Sequence, residues 1–419
     1  SSPRASAASR HGAAMDAAAV KASLDRHISM TGSFRKPELA AVASVVVVDG
    51  ATVRLNLSRP FSPLISQLAD RAGMIMSPAA TAAAGDKFGL KPVCAGPYRF
   101  VERVQQDRIV VEKFADYWDK GTVHIDRIIY RPIVDSTVRL ANLRSGSLDL
   151  IERALATDLP TIKSDAKLKL ATQTEIGYQG LSLNIALGDA GKSGPFGDRR
   201  LRAALEAAID RSALNEVVFS GNFLPGNQWV SPKHPYYEPR FPVPGRDIAK
   251  AKRLVAEAGV KTPIAVDFMV PNNPESRQVA ELIQSMAKEA GFDMKIRVTE
   301  FATSLKEAEQ GRYQAFLIGW SGRVDPDGNV FVFQKCGAPQ NNRGFCDKDV
   351  DGWLEESRAK TAMADRRAAY AKIAERVLAD GGIIYLYHRM VIIAHSVKLE
   401  GYRQMPDGLV RVVGLKLKP

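Results

Sequence analysis

FLIGWSGRVDPDGNVF, Phe316 to Phe331, opens as a short apolar run, breaks at Gly319-Trp320, and continues as a Gly- and Pro-rich turn carrying Arg323, Asp325 and Asp327. An apolar run of this length that stops at Gly, Pro and Asp reads as a buried strand ending in a loop. Ligand crevices in α/β sheets lie outside the carboxyl ends of strands, so an indole and fixed charges at such an end are candidate site residues. The neighbouring segments decide whether the sheet is of that kind. Upstream, IAKAKRLVAEAG reads as a helix stopped by Gly259, IAVDFMV as a strand, SRQVAELIQSMAKEAG as a helix stopped by Gly291, MKIRV as a strand and SLKEAEQG as a helix. Strand and helix alternate throughout, which predicts an α/β lobe.

Further toward the N-terminus, NFLPGNQWVSPKHPYYEPRFPVPG carries six prolines and reads as a long irregular crossover at a domain boundary. RRLRAALEAAIDRSAL reads as one helix with Leu201, Leu205, Ala208 and Ile209 on its apolar side. IGYQGLSLNI before it is strand-like, STVRLANLRSGSLDLI a helix ending near Gly146, and DRIIYRPIVD a strand-like run. VASVVVVDGATVRLNLS and PYRFVERVQQDRIVVEKF each read as extended, turned and extended again, which predicts an antiparallel sheet backed by helices. Order begins at Asp16, an N-cap for DAAAVKASLDRHISM. At the other end the helix RRAAYAKIAERVLADGG precedes IIYLYHRMVIIAHS, which leads back to the earlier lobe.

A chain of 419 residues exceeds one small core, so two or three lobes are expected, and 45% hydrophobic with 25% charged residues is ordinary for a globular protein. The net charge of +12 comes from scattered basic residues, without an arginine-rich arm or zinc-finger spacing, so nucleic acid is not an expected partner. No run reaches the roughly 18 to 20 apolar residues of a membrane-spanning helix. SSPRASAASRHGAAM lacks the apolar centre of a secretory signal, so no signal peptide is expected in this chain. No catalytic motif occurs: there is no nucleophile elbow, no His-Glu-x-x-His and no phosphate loop. The six histidines are dispersed, and His388 and His395 on apolar runs read as packed or surface residues. Cys336 and Cys346 bracket the polar loop GAPQNNRGF with no histidine nearby, which argues against zinc. Two readings stay open for the pair: a disulfide in an oxidising compartment, or two free thiols. Cys94 reads as a small buried filler.

The order of segments resembles the large periplasmic solute-binding proteins of peptide and nickel importers. The resemblance rests on Cys94-Ala95-Gly96-Pro97-Tyr98 in place of a Gly-Thr-Gly-Pro-aromatic turn, on KFADYWDKGTVHIDRIIYRPIVD, TVRLANLRSGSLDL and IGYQGLSLN, then on DRRLRAALEAAIDRSAL, KAKRLVAEAG, FLIGWSG and the cysteine pair. It runs from about Asp16 to the C-terminus. It implies an α/β, two-lobed periplasmic-binding-protein fold of the large, cluster C type, with lobe I split into two subdomains. Residues 13–130 would form the outer subdomain, 131–244 with 383–419 the inner one, and 245–382 lobe II. It also implies a Cys336–Cys346 disulfide beside the cleft, and a monomeric periplasmic protein without cofactor or metal. Such a protein captures a peptide or peptide-like solute, without turnover, and delivers it to an ABC permease. Relatives normally carry a longer stretch before the first helix, so an incomplete sheet with an unpaired edge is expected in lobe I.

In peptide-binding relatives an aspartate three residues after the tryptophan pairs with the peptide amino terminus; here that position is Arg323. Arginine favours a carboxylate or phosphate, so the ligand is expected to carry an anionic group, with Asp325 available to an amine. Trp320 would form an apolar wall, Ser321 and Gly322 would lie between the two, and Tyr178 and Gln179 would approach from lobe I. A bland alternative stands beside each: a self-satisfied turn with Arg323 paired internally, and Trp320 and Tyr178 as core residues. Trp229 is a weaker candidate that could equally pin its loop. Rival functions are a metal or metal-chelate receptor, a truncated remnant without ligand binding and, least favoured, a hydrolase acting through the cleft carboxylates.

Overall fold

The computed structural model of the chain describes residues 7–8 and 14–418. After a short antiparallel pairing of Ala7–Ala8 with Ala14–Met15 comes helix α1 (Ala17–Ser29), whose first turn is capped by the Asp16 carboxylate accepting from the Ala19 N–H. Strands β1 (Val42–Asp49) and β2 (Thr52–Leu57) form a hairpin on that helix, and α2 (Leu64–Leu68) follows. Leu24, Leu39, Val45, Phe61 and Leu64 close a small core there. Strands β3 (Tyr98–Val104), β4 (Arg108–Lys113) and β5 (Arg127–Tyr130) make a separate three-stranded meander. The expected antiparallel sheet is thus two small sheets, because the turn-rich stretch between them folds into short helices.

Helix α3 (Ser136–Ser145) is capped by Asp135 and stopped by Gly146 in the left-handed region at φ 82°. After it come β6 (Leu150–Ile151) and β7 (Leu168–Thr174), then β8 (Tyr178–Leu183). The single helix expected over Arg199–Leu214 is two, α4 (Arg199–Ala208) and α5 (Arg211–Phe219). Ile209 turns extended and Asp210 accepts from the Ala213 N–H, so a local cap competes with helix continuation. Beyond β9 (Leu224–Pro225), helix and strand alternate as the periodicity requires: α6 (Ile248–Ala258), β10 (Ile264–Pro271), α7 (Pro274–Lys288), β11 (Phe292–Thr299), α8 (Phe301–Glu309), β12 (Ala315–Trp320). Helices α9 (Asp327–Gln334), α10 (Lys348–Ala359) and α11 (Met363–Asp380) precede β13 (Ile383–His388) and β14 (Met390–Ser396).

Six strands form the main sheet in the order β9-β13-β8-β12-β10-β11, and β6-β14-β7 form a second sheet. Strands β10, β11 and β12 run parallel; β8 is antiparallel to both β12 and β13, so the carboxyl ends of β10 to β13 share one end of the sheet. Leu181, Leu205, Phe268, Ile283 and Phe292 lie in the core on this sheet. The chain passes between the two sheets twice, at Glu175–Gly177 and at Arg389. The six-stranded sheet spans the expected boundary at Gly245. Strands β8, β9 and β13, assigned to lobe I, share a sheet with β10 to β12 of lobe II. A strand's own pattern states that it is buried but not which strand it joins. Trp229, 1% exposed, holds the proline-rich loop onto the core beside Tyr385.

Candidate ligand-binding cleft

Trp320 ends β12, and the register sets it opposite Tyr178 at the start of β8. Its indole is half-buried, meets Phe333 edge-on at 5.1 Å between ring centroids, and donates from Nε1 to Asn329 Oδ1 at 3.1 Å. Asn329 also accepts from the Arg323 N–H at 2.6 Å and donates to the Arg323 carbonyl at 3.0 Å, so one buried amide fixes the whole turn. The Arg323 guanidinium lies over the indole, 4.5 Å from the ring centroid, an arrangement that contributes about 0.5 to 2 kcal/mol. Gly322 takes φ +83°, and a Cβ there would stand 2.4 Å from the Gly177 nitrogen, so neither bulk nor an ordinary L-residue backbone fits. Ser321 is exposed.

Arg323 also forms an ion pair with Asp70, which follows α2 in the N-terminal body. Burial, outweighing Asp70, lowers the pKa of the guanidinium. Asp325 is held bidentately by Arg366 at 2.7 and 2.8 Å and caps the Asp327 N–H at 2.9 Å. Asp327 is 1% exposed; it accepts from Arg358 at 2.6 and 2.9 Å and from Gln67 Nε2 at 3.2 Å. Each charge of the turn thus has a partner from outside the turn: Arg366 comes from α11, Arg358 from α10, and Asp70 and Gln67 from across a gap.

That gap is a narrow cleft, partly open to solvent, with room for the centres of water-sized spheres of only about 20 Å³. Phe34, Arg35, Glu38 and Gln67 line it from the N-terminal body; Trp320, Arg323, Asp327, Gln340 and Arg358 line it from the other side. Arg35 pairs with Glu38 at 2.7 Å, and burial raises the Glu38 pKa. Gln340 sits on the loop closed by the Cys336–Cys346 disulfide, which is thus beside the cleft.

Of the residues expected at the site, Trp320 and Arg323 line the cleft, Ser321 and Gly322 connect those two along the chain without lining it, and three are placed otherwise. Tyr178 is 4% exposed and packs edge-on against Tyr385 and Phe333; burial pushes its phenol well above the ordinary range. Gln179 is buried, donates to Glu175 Oε1 at 3.2 Å, and lies over Gly319, where a Cβ would meet it at 2.1 Å. Both lie on β8 in the six-stranded sheet, and Asp325 is committed to Arg366. Gln67, Asp70, Asn329 and Arg358 were missed. Their only sequence signal is polarity, and their partners lie up to 260 positions away.

Two lobes joined by paired crossovers, with a cleft at the strand ends, define a solute-binding protein. Residues 10–342 match the family described as bacterial extracellular solute-binding proteins, family 5 Middle, and the chain belongs to it. It is 31% identical over 412 residues to the glutathione-binding protein GsiB of Pectobacterium atrosepticum, covering 95% of this chain and 78% of that one. The fold matches the binding protein AgaA of Agrobacterium tumefaciens in complex with agropinic acid, with a TM-score of 0.89 and 26% identity over 99% of this chain and 86% of that one. It also matches the ABC transporter-associated binding protein DppA of Helicobacter pylori in complex with the peptide STSA, with a TM-score of 0.88 and 21% identity over 98% and 84%. The chain is a solute-binding component of an ABC importer, not an enzyme. No helix among the described residues is long and apolar enough to cross a membrane.

Proposed function

We propose that the chain captures a peptide-like solute bearing an anionic group, of which glutathione is a model, in the cleft between Trp320 and the N-terminal body. The observation that carries this is Arg323 stacked on Trp320 at the carboxyl end of β12, where the cleft opens. Arginine offers a planar fork of donors, and a ligand carboxylate competes with Asp70 for it. Trp320, Ser321 and Arg323 contact the ligand in this reading, while Tyr178, Gln179, Gly322 and Asp325 hold the turn in place. In the same reading the protein works as a monomer in the periplasm and passes its ligand to a membrane permease. The lobes divide at the crossovers, residues 178–388 forming one and the flanking segments the other. Calorimetry with reduced glutathione tests this: Arg323→Ala weakens binding about tenfold or more, the loss expected for a charge-assisted pair. Unchanged affinity removes Arg323 from the ligand. The identity of the natural solute follows from mass spectrometry of small molecules released on denaturing the purified protein.

A further inference from the structure

A second group of cations lies at the same end of the six-stranded sheet, beside the crossovers, and the turn around Trp320 does not use it. Arg153 follows β6, where the register of that strand on β14 and the Ala154 N–H bond to the Ile392 carbonyl at 3.2 Å seat it next to the returning strand. Its backbone takes φ +54°, the left-handed region that non-glycine residues rarely enter. From α3, Arg139 donates Nη2 to the Arg153 carbonyl at 2.8 Å and Nη1 to Ile133 and Val134 carbonyls at 2.6 and 2.9 Å, leaving its buried Nε without a partner. From the second crossover, Arg389 reaches Glu275 on α7 of the other lobe at 2.9 and 3.1 Å, and its N–H donates to Glu175 Oε1 at 3.0 Å. Three guanidinium groups thus converge from α3, β6 and a crossover. Glu275 and Glu175 are already engaged by Arg389, and Arg153 makes no side-chain hydrogen bond or ion pair among the described residues.

The electrostatics agree with this geometry. The positive charge of Arg389 is the main influence lowering the Arg153 pKa, and burial adds to it, against the opposing pull of Glu275, Glu152 and Glu175. Arg153 keeps part of its surface in solvent while the packing around it withdraws the rest from water. A cation hemmed in by another cation, with no carboxylate of its own, is complementary to an incoming anion. The crossover joins this group to the Trp320 end of the sheet: His388 bonds the Gly177 carbonyl at 2.6 Å, and a Cβ on Gly177 would stand 1.9 Å from the Trp320 carbonyl oxygen.

We propose that Arg153, supported by Arg139 and Arg389, forms a carboxylate subsite for the solute held between the lobes, distinct from the Arg323 contact; this rests on the solute-receptor reading above. A ligand with two carboxylates spaced along a short backbone would then engage Arg323 and Arg153 together, and each lobe would supply one of its anchors.

The test uses the full chain and its Arg153→Gln and Arg153→Lys variants, titrated calorimetrically with reduced glutathione and with its diethyl ester. Arg153 is exposed, so thermal melts of the variants should match the parent chain. The subsite requires glutathione to bind Arg153→Gln about tenfold or more weaker than the parent, Arg153→Lys to fall between, and the diethyl ester to be indifferent to the substitution. Equal affinity of parent and Arg153→Gln overturns the subsite and leaves the receptor reading standing. If glutathione does not bind the parent chain, the glutathione-like reading falls, and acetate decides the subsite through the arginine Nε–H signals in nitrogen-15 spectra. A saturable shift of one signal, absent from Arg153→Gln and not produced by acetamide, supports the subsite; no such shift overturns it.

Discussion

Arg358 is 2% exposed, and its guanidinium rests on the Phe331 ring while Nε and Nη2 grip the Asp327 carboxylate, itself 1% exposed. Taking two charges out of water costs several kcal/mol each, and only their mutual contact offsets it. Asp327→Asn leaves the arginine buried with its counter-charge gone, so urea unfolding followed by circular dichroism should show a loss of about 3 to 5 kcal/mol. Replacing both partners, Asp327→Asn with Arg358→Met, should recover most of that, since no buried charge then lacks its complement. A single-variant loss under about 1 kcal/mol would mean that water reaches the pair. Arg323 differs in kind. Its pair with Asp70 is more open, at 16% and 22% side-chain exposure, so it suits a role in which one carboxylate is exchanged for another.

Strands β12 and β13 end, and β8 begins, beside the crossovers, and His388 is built into the second of them. Its ring bonds the Gly177 carbonyl at 2.6 Å, and its Nε2 is buried without a partner against Gly226, where a Cβ would stand 2.4 Å away. Burial holds the ring at about 4, below the ordinary 6.5. The unfolded chain therefore takes up this proton near 6.5 while the folded one refuses it until near 4. Stability is whole above about pH 6.5 and drains as pH falls through that window, by about 2 kcal/mol between pH 7.5 and pH 5. His27, His234 and His395 are also lowered by burial and add to the same slope. Urea unfolding at both pH values checks this: His388→Gln should lose about 2 kcal/mol less than the parent over that interval, and equal losses would overturn the assignment. At this scale the sequence was informative where local chemistry decides. Asp16, Gly146 and Gly259 mark helix ends, and Phe316 to Trp320 form a buried strand that opens onto a cleft. It was silent where distant pairing decides. The Tyr178 strand looks the same whichever sheet it enters, and no local pattern marks Asp70 for Arg323 or Arg366 for Asp325.

Closure of the whole molecule depends on the N-terminal body meeting the far wall of the cleft. The Arg358 carbonyl accepts from the Ser62 N–H at 2.9 Å, Gln67 reaches Asp327 at 3.2 Å, Arg59 pairs with Glu355 at 3.0 Å, and Asp70 pairs with Arg323. The exposed or half-buried contacts contribute about 0.5 to 1 kcal/mol each net and the buried Gln67–Asp327 bond about 0.5 to 1.5 kcal/mol, so the set biases the closed arrangement without fixing it. This suits a receptor, because ligand must supply the remaining differential energy, and a molecule locked shut could neither load nor release. The double variant Gln67→Ala with Asp70→Ala removes two cross-cleft contacts and leaves the Asp327–Arg358 pair in place. It should shift the closed-to-open ratio by about five- to thirtyfold toward open, for a loss of about 1 to 2 kcal/mol. Small-angle X-ray scattering of the ligand-free protein should then give a larger radius of gyration for the variant than for the parent, and a saturating ligand should bring the two together. An identical radius without ligand would show that these contacts follow closure rather than favour it. The bias would then have to come from the crossovers, where Arg389, Glu275 and Glu175 already join the two lobes.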